Sequence, residues 1–213
     1  VPFGKYFYLV KDSYGTWSLI QRLSFDKYLE GVLPHEIGAN SPLEALKAQA
    51  IIARTWALYN SDRFKNDKYH LCITTQCQVY KPYFKTNQSI KKAISQTSGL
   101  ILTSDNKPIN AFYHASNGGI IASSSESWQM SDYSYFQPKF DLISSNNKAM
   151  ILPFKDELQI ENFLRNKKIN FLGNNHYLFR WQERISSSEI INLLIKNKLV
   201  FNTKKISNIK VIE

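Results

Sequence analysis

One carboxylate in the sequence, Glu36, occupies a position where no structural role is evident. It lies in a turn flanked by Pro34 and Gly38, beside the apolar side chains of Leu33 and Ile37. A carboxyl group sheltered by apolar neighbours is suited to act as a general acid near neutral pH. The simpler interpretation is an ordinary solvated loop glutamate. The segment taken alone leaves both interpretations open.

A long helix is predicted directly after this turn. Ser41 fits its N-cap, Pro42 its first helical position, and Glu44 the third position, where the carboxylate would close a capping box. Apolar residues, many of them alanine, then recur at helical spacing as far as about Tyr59. We therefore expect a helix over residues 42–59 that is largely buried and closely packed.

Charged residues interrupt this predicted helix. Lys47 and Arg54 are seven residues apart and share a face, on which Glu44 can pair with Lys47. One interpretation is a charged stripe on the protein surface. The other is that Arg54 reaches the Glu36 turn or a carboxylate of a substrate.

Several blocks of the chain occur in a family-specific order. They read VLPHE at 32–36, EALKAQAIIART at 44–55, TTQCQVY at 74–80, AISQTSGLIL at 93–102 and AFYHASNGG at 111–119. Together they resemble the SpoIID/LytB family (stage II sporulation protein D) of bacterial cell-wall proteins. The resemblance covers residues 23–138 well and the remainder thinly. Asn117 stands where the family more often has serine, and Ser116 can compensate.

This resemblance implies a peptidoglycan lytic transglycosylase, which cleaves the bond between N-acetylmuramic acid and N-acetylglucosamine with a single carboxyl group. Glu36 would first protonate the glycosidic oxygen and then, as a base, help close the 1,6-anhydro ring. Paired-carboxylate hydrolysis would need a second acidic group, and none is conspicuous beside Glu36. The substrate-binding residues that we expect from the matching blocks are Gln49, Arg54, Thr75, Gln78, Tyr80, Tyr113, Ser116, Gly118 and Gly119.

Two other functions remain open at this point. Relatives of the LytB kind imply a non-catalytic module that binds glycan and stimulates a separate cell-wall amidase. A cysteine hydrolase that uses Cys77 with His70 or His114 is possible on residue types alone. It is disfavoured, because Cys77 follows no nucleophile-elbow pattern.

The two cysteines, Cys72 and Cys77, admit three interpretations. They can form a disulfide, bind zinc together with His70, or stay reduced. Some members of the family bind zinc in this segment, but Gln76 stands where such a member has a second histidine. We therefore favour the Cys72–Cys77 disulfide and expect no metal and no cofactor.

The predicted fold is α+β, with the alanine-rich helix at the centre, packed on antiparallel strands and hairpins. The predicted strands are 6–10 and 16–23, 74–80, a hairpin of 100–104 and 109–116, and 206–212; the further helices are 25–32, 89–97, 156–166 and 187–199. The resemblance implies that the Glu36 turn, the 75–80 strand and the Asn117 loop meet at one groove. We expect a SpoIID-like catalytic core over 1–138, with 139–213 as a C-terminal extension of the same domain that is truncated in its last strand.

The composition of the chain limits the classes of partner that we expect. The chain has 213 residues, 43% of them hydrophobic, which indicates a folded core, and its net charge of +10 is scattered along the sequence. This charge favours an anionic partner such as nucleic acid, a membrane surface or a cell-wall polymer, and no nucleic-acid-binding motif is present. No apolar run approaches the roughly 20 residues that span a bilayer. The chain starts at Val1 without a signal-like segment, so we expect an exported envelope protein, seen after removal of a leader or as a piece of a longer chain.

Overall fold

The computed structural model describes residues 7–82, 87–128, 130–143, 152–166, 169–199 and 205. The chain divides into two compact units, residues 1–114 and 115–213, which are described separately. Helices and small antiparallel sheets make up both units. The predicted α+β class is confirmed.

The first unit begins with the predicted hairpin. Strand β1 (Phe7–Lys11) pairs antiparallel with β2 (Trp17–Gln21). The Asp12 carboxylate organises the turn by accepting the backbone N–H groups of Tyr14 at 3.0 Å and Thr16 at 2.8 Å. An aspartate that bonds its own following backbone in this way is a typical turn former.

Three helices form the core of the first unit. Helix α1 (Phe25–Leu33) is capped by Ser24, α2 (Leu43–Tyr59) is the predicted alanine-rich helix, and α3 (Gln88–Gln96) is capped by Asn87. Helix α2 packs mainly on α1 and α3, so its principal partners are helices rather than the predicted strands. The buried apolar residues of this core are Leu29, Val32, Leu33, Leu46, Ala50, Ala53, Ile90, Ala93 and Ile94.

The predicted capping box of α2 is wrong. Pro42 is the N-cap and supplies no side-chain hydrogen bond. The Ser41 hydroxyl instead donates to the carbonyl of Ile37 at 2.7 Å, because Ser41 lies one residue too early and faces the preceding turn. Glu44 forms its predicted ion pair with Lys47, at 2.7 Å.

The segment 74–80 is not the predicted strand. It turns at 74–77, where Cys77 N–H donates to the Thr74 carbonyl at 3.0 Å, and continues to residue 80 without regular structure. The hairpin that follows α3 differs from the predicted one, because its second strand lies before the predicted strand 109–116, which forms no strand. Its strands are β3 (Thr103–Ser104) and β4 (Lys107–Pro108), and the two residues between them have φ values of 50° and 59°. Two consecutive residues with positive φ make a tight hairpin turn.

The second unit is built around an aromatic cluster. Strand β5 (Ile120–Ile121) pairs with β6 (Lys139–Phe140), and the helices are α4 (Ser124–Trp128), α5 (Glu157–Arg165) and α6 (Ser187–Lys196). Helices α5 and α6 confirm the two predicted C-terminal helices, although Ser186, rather than the expected Ser187 or Ser188, caps α6. Buried Phe163, Ile169 and Phe171 form the cluster. The predicted strand 206–212 lies outside the described residues.

Among the residues that the structure describes, none of the helices combines the length and hydrophobicity that a bilayer crossing requires.

Candidate functional site

Glu36 lies in a wide helical turn, Pro34–Gly38, which continues directly from α1. Pro34 has no backbone N–H to donate to α1, so the regular α-helical hydrogen bonding ends there. Gly38 ends the turn with φ near 90°, a backbone conformation that glycine adopts readily. Glu36 is half-buried, so its carboxylate is neither enclosed in the core nor fully in solvent.

The backbone of the 74–80 segment holds this carboxylate. Val79 donates its N–H to Oε1 of Glu36 at 2.6 Å. Two residues further on, Lys81 N–H donates to the Gly31 carbonyl at 3.2 Å, which fixes the same segment to α1. The Glu36 turn and the 75–80 segment therefore meet, as the sequence predicts, although the second is not a strand.

A chain of polar side chains extends from Glu36 into the unit. The Tyr113 hydroxyl interacts with the Glu36 carboxylate and accepts from Nε2 of Gln78 at 3.1 Å. The Oε1 atom of Gln78 accepts from the Tyr28 hydroxyl at 2.9 Å. Gln78 is only 1% exposed, so water does not compete for its amide.

Both phenols of this chain stay neutral well above physiological pH. Burial is the largest cause that raises the pKa of Tyr28 and of Tyr113. The negative charge of Glu36 adds to the rise at both residues. Each phenol can therefore donate a hydrogen bond at neutral pH.

Tyr80, another predicted binding residue, places its ring beside this chain of polar side chains. The ring stacks on Tyr28, with centroids 5.7 Å apart and planes 13° from parallel. It also lies so close to α1 that a Cβ on Gly31 would come within 2.3 Å of Cε2 of Tyr80. Only glycine at position 31 permits this approach.

The structure places the remaining predicted residues of the first unit differently. Gln49 and Arg54 are both buried, so Arg54 is not part of a surface stripe, and its Nη1 donates to the Leu100 carbonyl at 3.0 Å. The buried Nε2 of Gln49 and Nη2 of Arg54 have no hydrogen-bond partner among the described residues. Thr75 is exposed.

The predicted Cys72–Cys77 disulfide is not formed, and both residues are free thiols. The Cys72 N–H donates to Sγ of Cys77 at 3.2 Å, and the two thiols are hydrogen-bonded to each other. Tight turns allow this approach without a covalent bond. Within the part of the chain that the structure describes, no group of three or more His, Cys, Asp or Glu side chains could hold a metal ion.

The predicted residues Ser116, Gly118 and Gly119 belong to the second unit, where they form a loop before β5. The Asn117 side chain fastens this loop by donating to Asp141 at 2.8 Å and accepting from Gly119 N–H at 2.8 Å. Gly119 packs against the ring of Phe171, which a Cβ would meet at 2.9 Å.

Sequence reasoning did not identify two members of the site. The first is the backbone N–H of Val79, which carries no side-chain signal at all. The second is Tyr28, which appears in the sequence only as one aromatic residue of a short amphipathic helix. A buried glutamine, Gln78, with two amide ends that both need partners, is the feature that would have pointed to Tyr28.

Two segments of the chain match known protein families. Residues 13–104 match the family model described as SpoIID, Stage II sporulation protein, and residues 122–213 match that of a domain of unknown function. An uncharacterized protein of Brachyspira hyodysenteriae is 37% identical over 49% of this chain and 28% of its own length. The amidase enhancer of Bacillus subtilis is 40% identical over 48% of this chain and 14% of its own. Stage II sporulation protein D of Bacillus subtilis is 30% identical over 51% of this chain and 36% of its own length.

These matches identify the first unit as an α+β module similar to the SpoIID family. Its matched residues, 13–104, belong to the SpoIID/LytB family, as the resemblance predicts. The chain spans about a third or less of the length of these curated relatives.

Proposed function

We propose that this protein is a peptidoglycan lytic transglycosylase in which Glu36 is the only catalytic carboxyl group. The observation that carries the proposal is the setting of Glu36: half-buried, with one oxygen held by Val79 N–H and with Tyr113 beside the carboxylate. An ordinary loop glutamate has no such fixed partners. Fixed orientation is what a general acid needs in order to reach one oxygen of a substrate.

The proposed reaction needs no water, and its proton transfers balance. Glu36 gives its proton to the glycosidic oxygen as the bond between that oxygen and C1 of the muramic residue breaks. The ionised carboxylate then takes the proton from the C6 hydroxyl while O6 bonds to C1, which closes the anhydro ring. Glu36 ends the cycle protonated, as it began.

The geometry divides the work between the two carboxyl oxygens. Oε1 accepts the Val79 N–H at 2.6 Å, and the carbonyl oxygen is the better acceptor of a carboxylic acid. In the proposed reaction the acidic proton therefore resides on Oε2. Tyr113, held neutral by its raised pKa, stabilises the carboxylate after the proton has left.

A second function is supported by one specific observation, the 40% identity to a protein named amidase enhancer. In that case the module binds glycan strands and stimulates a separate cell-wall amidase without cutting the glycan itself. In either case the partner is the peptidoglycan of the cell envelope, and the net charge of +10 suits an anionic wall polymer.

The deciding experiment uses purified glycan strands that have been stripped of their peptides, incubated with the purified protein. Mass spectrometry of the products should show new 1,6-anhydro-muramic ends with the wild-type protein and fewer than about one in a hundred of them with Glu36→Gln. The glutamine keeps an oxygen for the Val79 N–H, so folding and glycan binding should persist. Glu44→Gln is the matched control, because Glu44 is an exposed glutamate of the same region.

Unchanged anhydro ends in a folded Glu36→Gln variant would overturn the catalytic proposal. Absence of such ends with the wild-type protein, combined with faster peptide release from intact peptidoglycan by an added amidase, would establish the enhancer function instead.

A further inference from the structure

We propose that Tyr28 is a positioning residue for Glu36 and acts on it through Gln78 and Tyr113, without touching the glycan. The inference rests on the proposed function of Glu36. It also assigns Gln78 to the support of the acid, rather than to the direct substrate contact that the sequence predicts.

The direction of the hydrogen bonds follows from what each group can do. A phenol and an amide can each donate and accept, but an ionised carboxylate only accepts. In a hydrogen-bond chain that ends on Glu36, each group must therefore donate to the next group in the direction of Glu36. Tyr28 donates to Oε1 of Gln78, Nε2 of Gln78 donates to Tyr113, and the Tyr113 proton is left for Glu36.

Burial makes this order rigid. Gln78 is 1% exposed and both ends of its amide are already bonded, at 2.9 Å to Tyr28 and 3.1 Å to Tyr113. Each end of the amide keeps a second hydrogen-bonding site, but a side chain that is 1% exposed does not present it to a sugar hydroxyl. If the amide turned over, Tyr113 would donate to its oxygen and Glu36 would lose the phenol.

Tyr28 fixes the place of the Gln78 amide. Its ring is fixed by stacking on Tyr80, so its hydroxyl meets Gln78 at a defined place. Removal of that hydroxyl leaves one end of a buried amide without a partner in either orientation. The amide is then held by its bond to Tyr113 alone, so its position is less well defined and Tyr113 is oriented less well toward Glu36.

The test is a double-mutant cycle of Tyr28→Phe and Tyr113→Phe, assayed by formation of anhydro-muramic ends. Tyr28→Phe keeps the stacked ring and should lower kcat roughly three- to tenfold with KM unchanged. Tyr113→Phe should cost roughly tenfold or more, as the loss of a hydrogen bond to a charged group does. In the Tyr113→Phe background, Tyr28→Phe should have no further effect on kcat, because its effect passes through Tyr113.

A second measurement does not depend on activity. In ¹³C NMR of labelled tyrosines, the Cζ resonance of Tyr113 should shift in Tyr28→Phe and stay in place in Tyr14→Phe, which removes a hydroxyl from the exposed hairpin turn. A shift without any glycan cleavage by the wild-type protein would support the hydrogen-bond chain and count against the catalytic function alone. An unmoved Tyr113 resonance, additive effects on kcat, or a raised KM would overturn the role of Tyr28.

Discussion

Val79 donates its backbone N–H to Oε1 of Glu36 at 2.6 Å across a separation of 43 residues. Because the donor is backbone, only proline at position 79 would remove it directly. The place of the acid depends instead on how the 74–80 turns are fastened to α1. The first prediction therefore concerns the residue at which that fastening occurs.

Gly31→Ala should destabilise the first unit and displace Tyr80. The new Cβ would lie 2.3 Å from Cε2 of Tyr80 and 2.8 Å from the Lys81 carbonyl oxygen, so the chain must move away from α1. Overpacking of this kind costs about 1–3 kcal/mol. Urea unfolding should show this loss, and formation of anhydro ends should fall because Val79 moves with Tyr80.

The matched control for this substitution is the double variant Gly31→Ala with Tyr80→Ala. Removal of the ring relieves the shorter contact, so the double variant should be less destabilised than the sum of the two single changes. Simple additivity would show that the ring contact is not what makes glycine necessary at position 31.

The elements that sequence periodicity describes were predictable. The β1–β2 hairpin, α1, α2, α3, α5 and α6 follow from alternation, helical spacing and capping residues within a few neighbouring positions. The segment 74–80 was not, because its β-branched and aromatic residues indicate a strand while its turns depend on contacts with α1. Long-range contacts override local propensity in this way.

The residues of the candidate site also differ in how far the sequence predicts them. Glu36 could be predicted from its turn and from the family resemblance. Its partners could not, because Val79 acts through its backbone and Tyr28 through a glutamine 50 residues away. For buried Arg54, the sequence predicts the position on α2 but not the hydrogen bond to the Leu100 carbonyl.

Thr55→Val should destabilise the first unit although the two side chains have nearly the same shape. The Thr55 hydroxyl is fully buried, donates to the Ile51 carbonyl and accepts the Leu102 N–H at 3.0 Å. Valine leaves that N–H without a partner, which costs about 1–3 kcal/mol. Urea unfolding measures the loss, and the exposed Thr75→Val is the control that should stay within about 0.5 kcal/mol of wild type. Equal stability of Thr55→Val would show that another acceptor replaces the hydroxyl.

Stability should fall at alkaline pH because the pKa values of Tyr28 and Tyr113 are raised in the folded protein, chiefly by burial. The unfolded chain ionises its tyrosines near pH 10, whereas the folded state keeps these two neutral. Their contribution is therefore complete below about pH 10 and is lost as the pH rises toward the folded values, at up to about 1.4 kcal/mol per pH unit for each phenol.

Urea unfolding between pH 9 and 11.5 tests this dependence. Tyr28→Phe should be less stable than wild type at pH 8, because a hydrogen bond is lost, yet its stability should fall less steeply above pH 10. Tyr14→Phe, which changes an exposed phenol, should keep the wild-type slope. Identical slopes for wild type and Tyr28→Phe would mean that Tyr28 ionises as freely in the folded state as in the unfolded chain.

The two free thiols should differ in reactivity, because the thiolate is the reactive form. Burial acts to raise the pKa of Cys72, but hydrogen bonds from Cys77 and Thr74 outweigh it, and the pKa lies below its ordinary value. Burial raises the pKa of Cys77 to about 12, and its hydrogen bond to Cys72 adds to the rise. At pH 8, iodoacetamide should therefore modify Cys72 first, as measured by peptide mapping at short reaction times.

Cys77→Ala should slow the reaction of Cys72, because the hydrogen bond that stabilises its thiolate is gone, while Thr75→Val should leave the rate unchanged. Faster labelling of Cys77 than of Cys72 would contradict this arrangement of the pair.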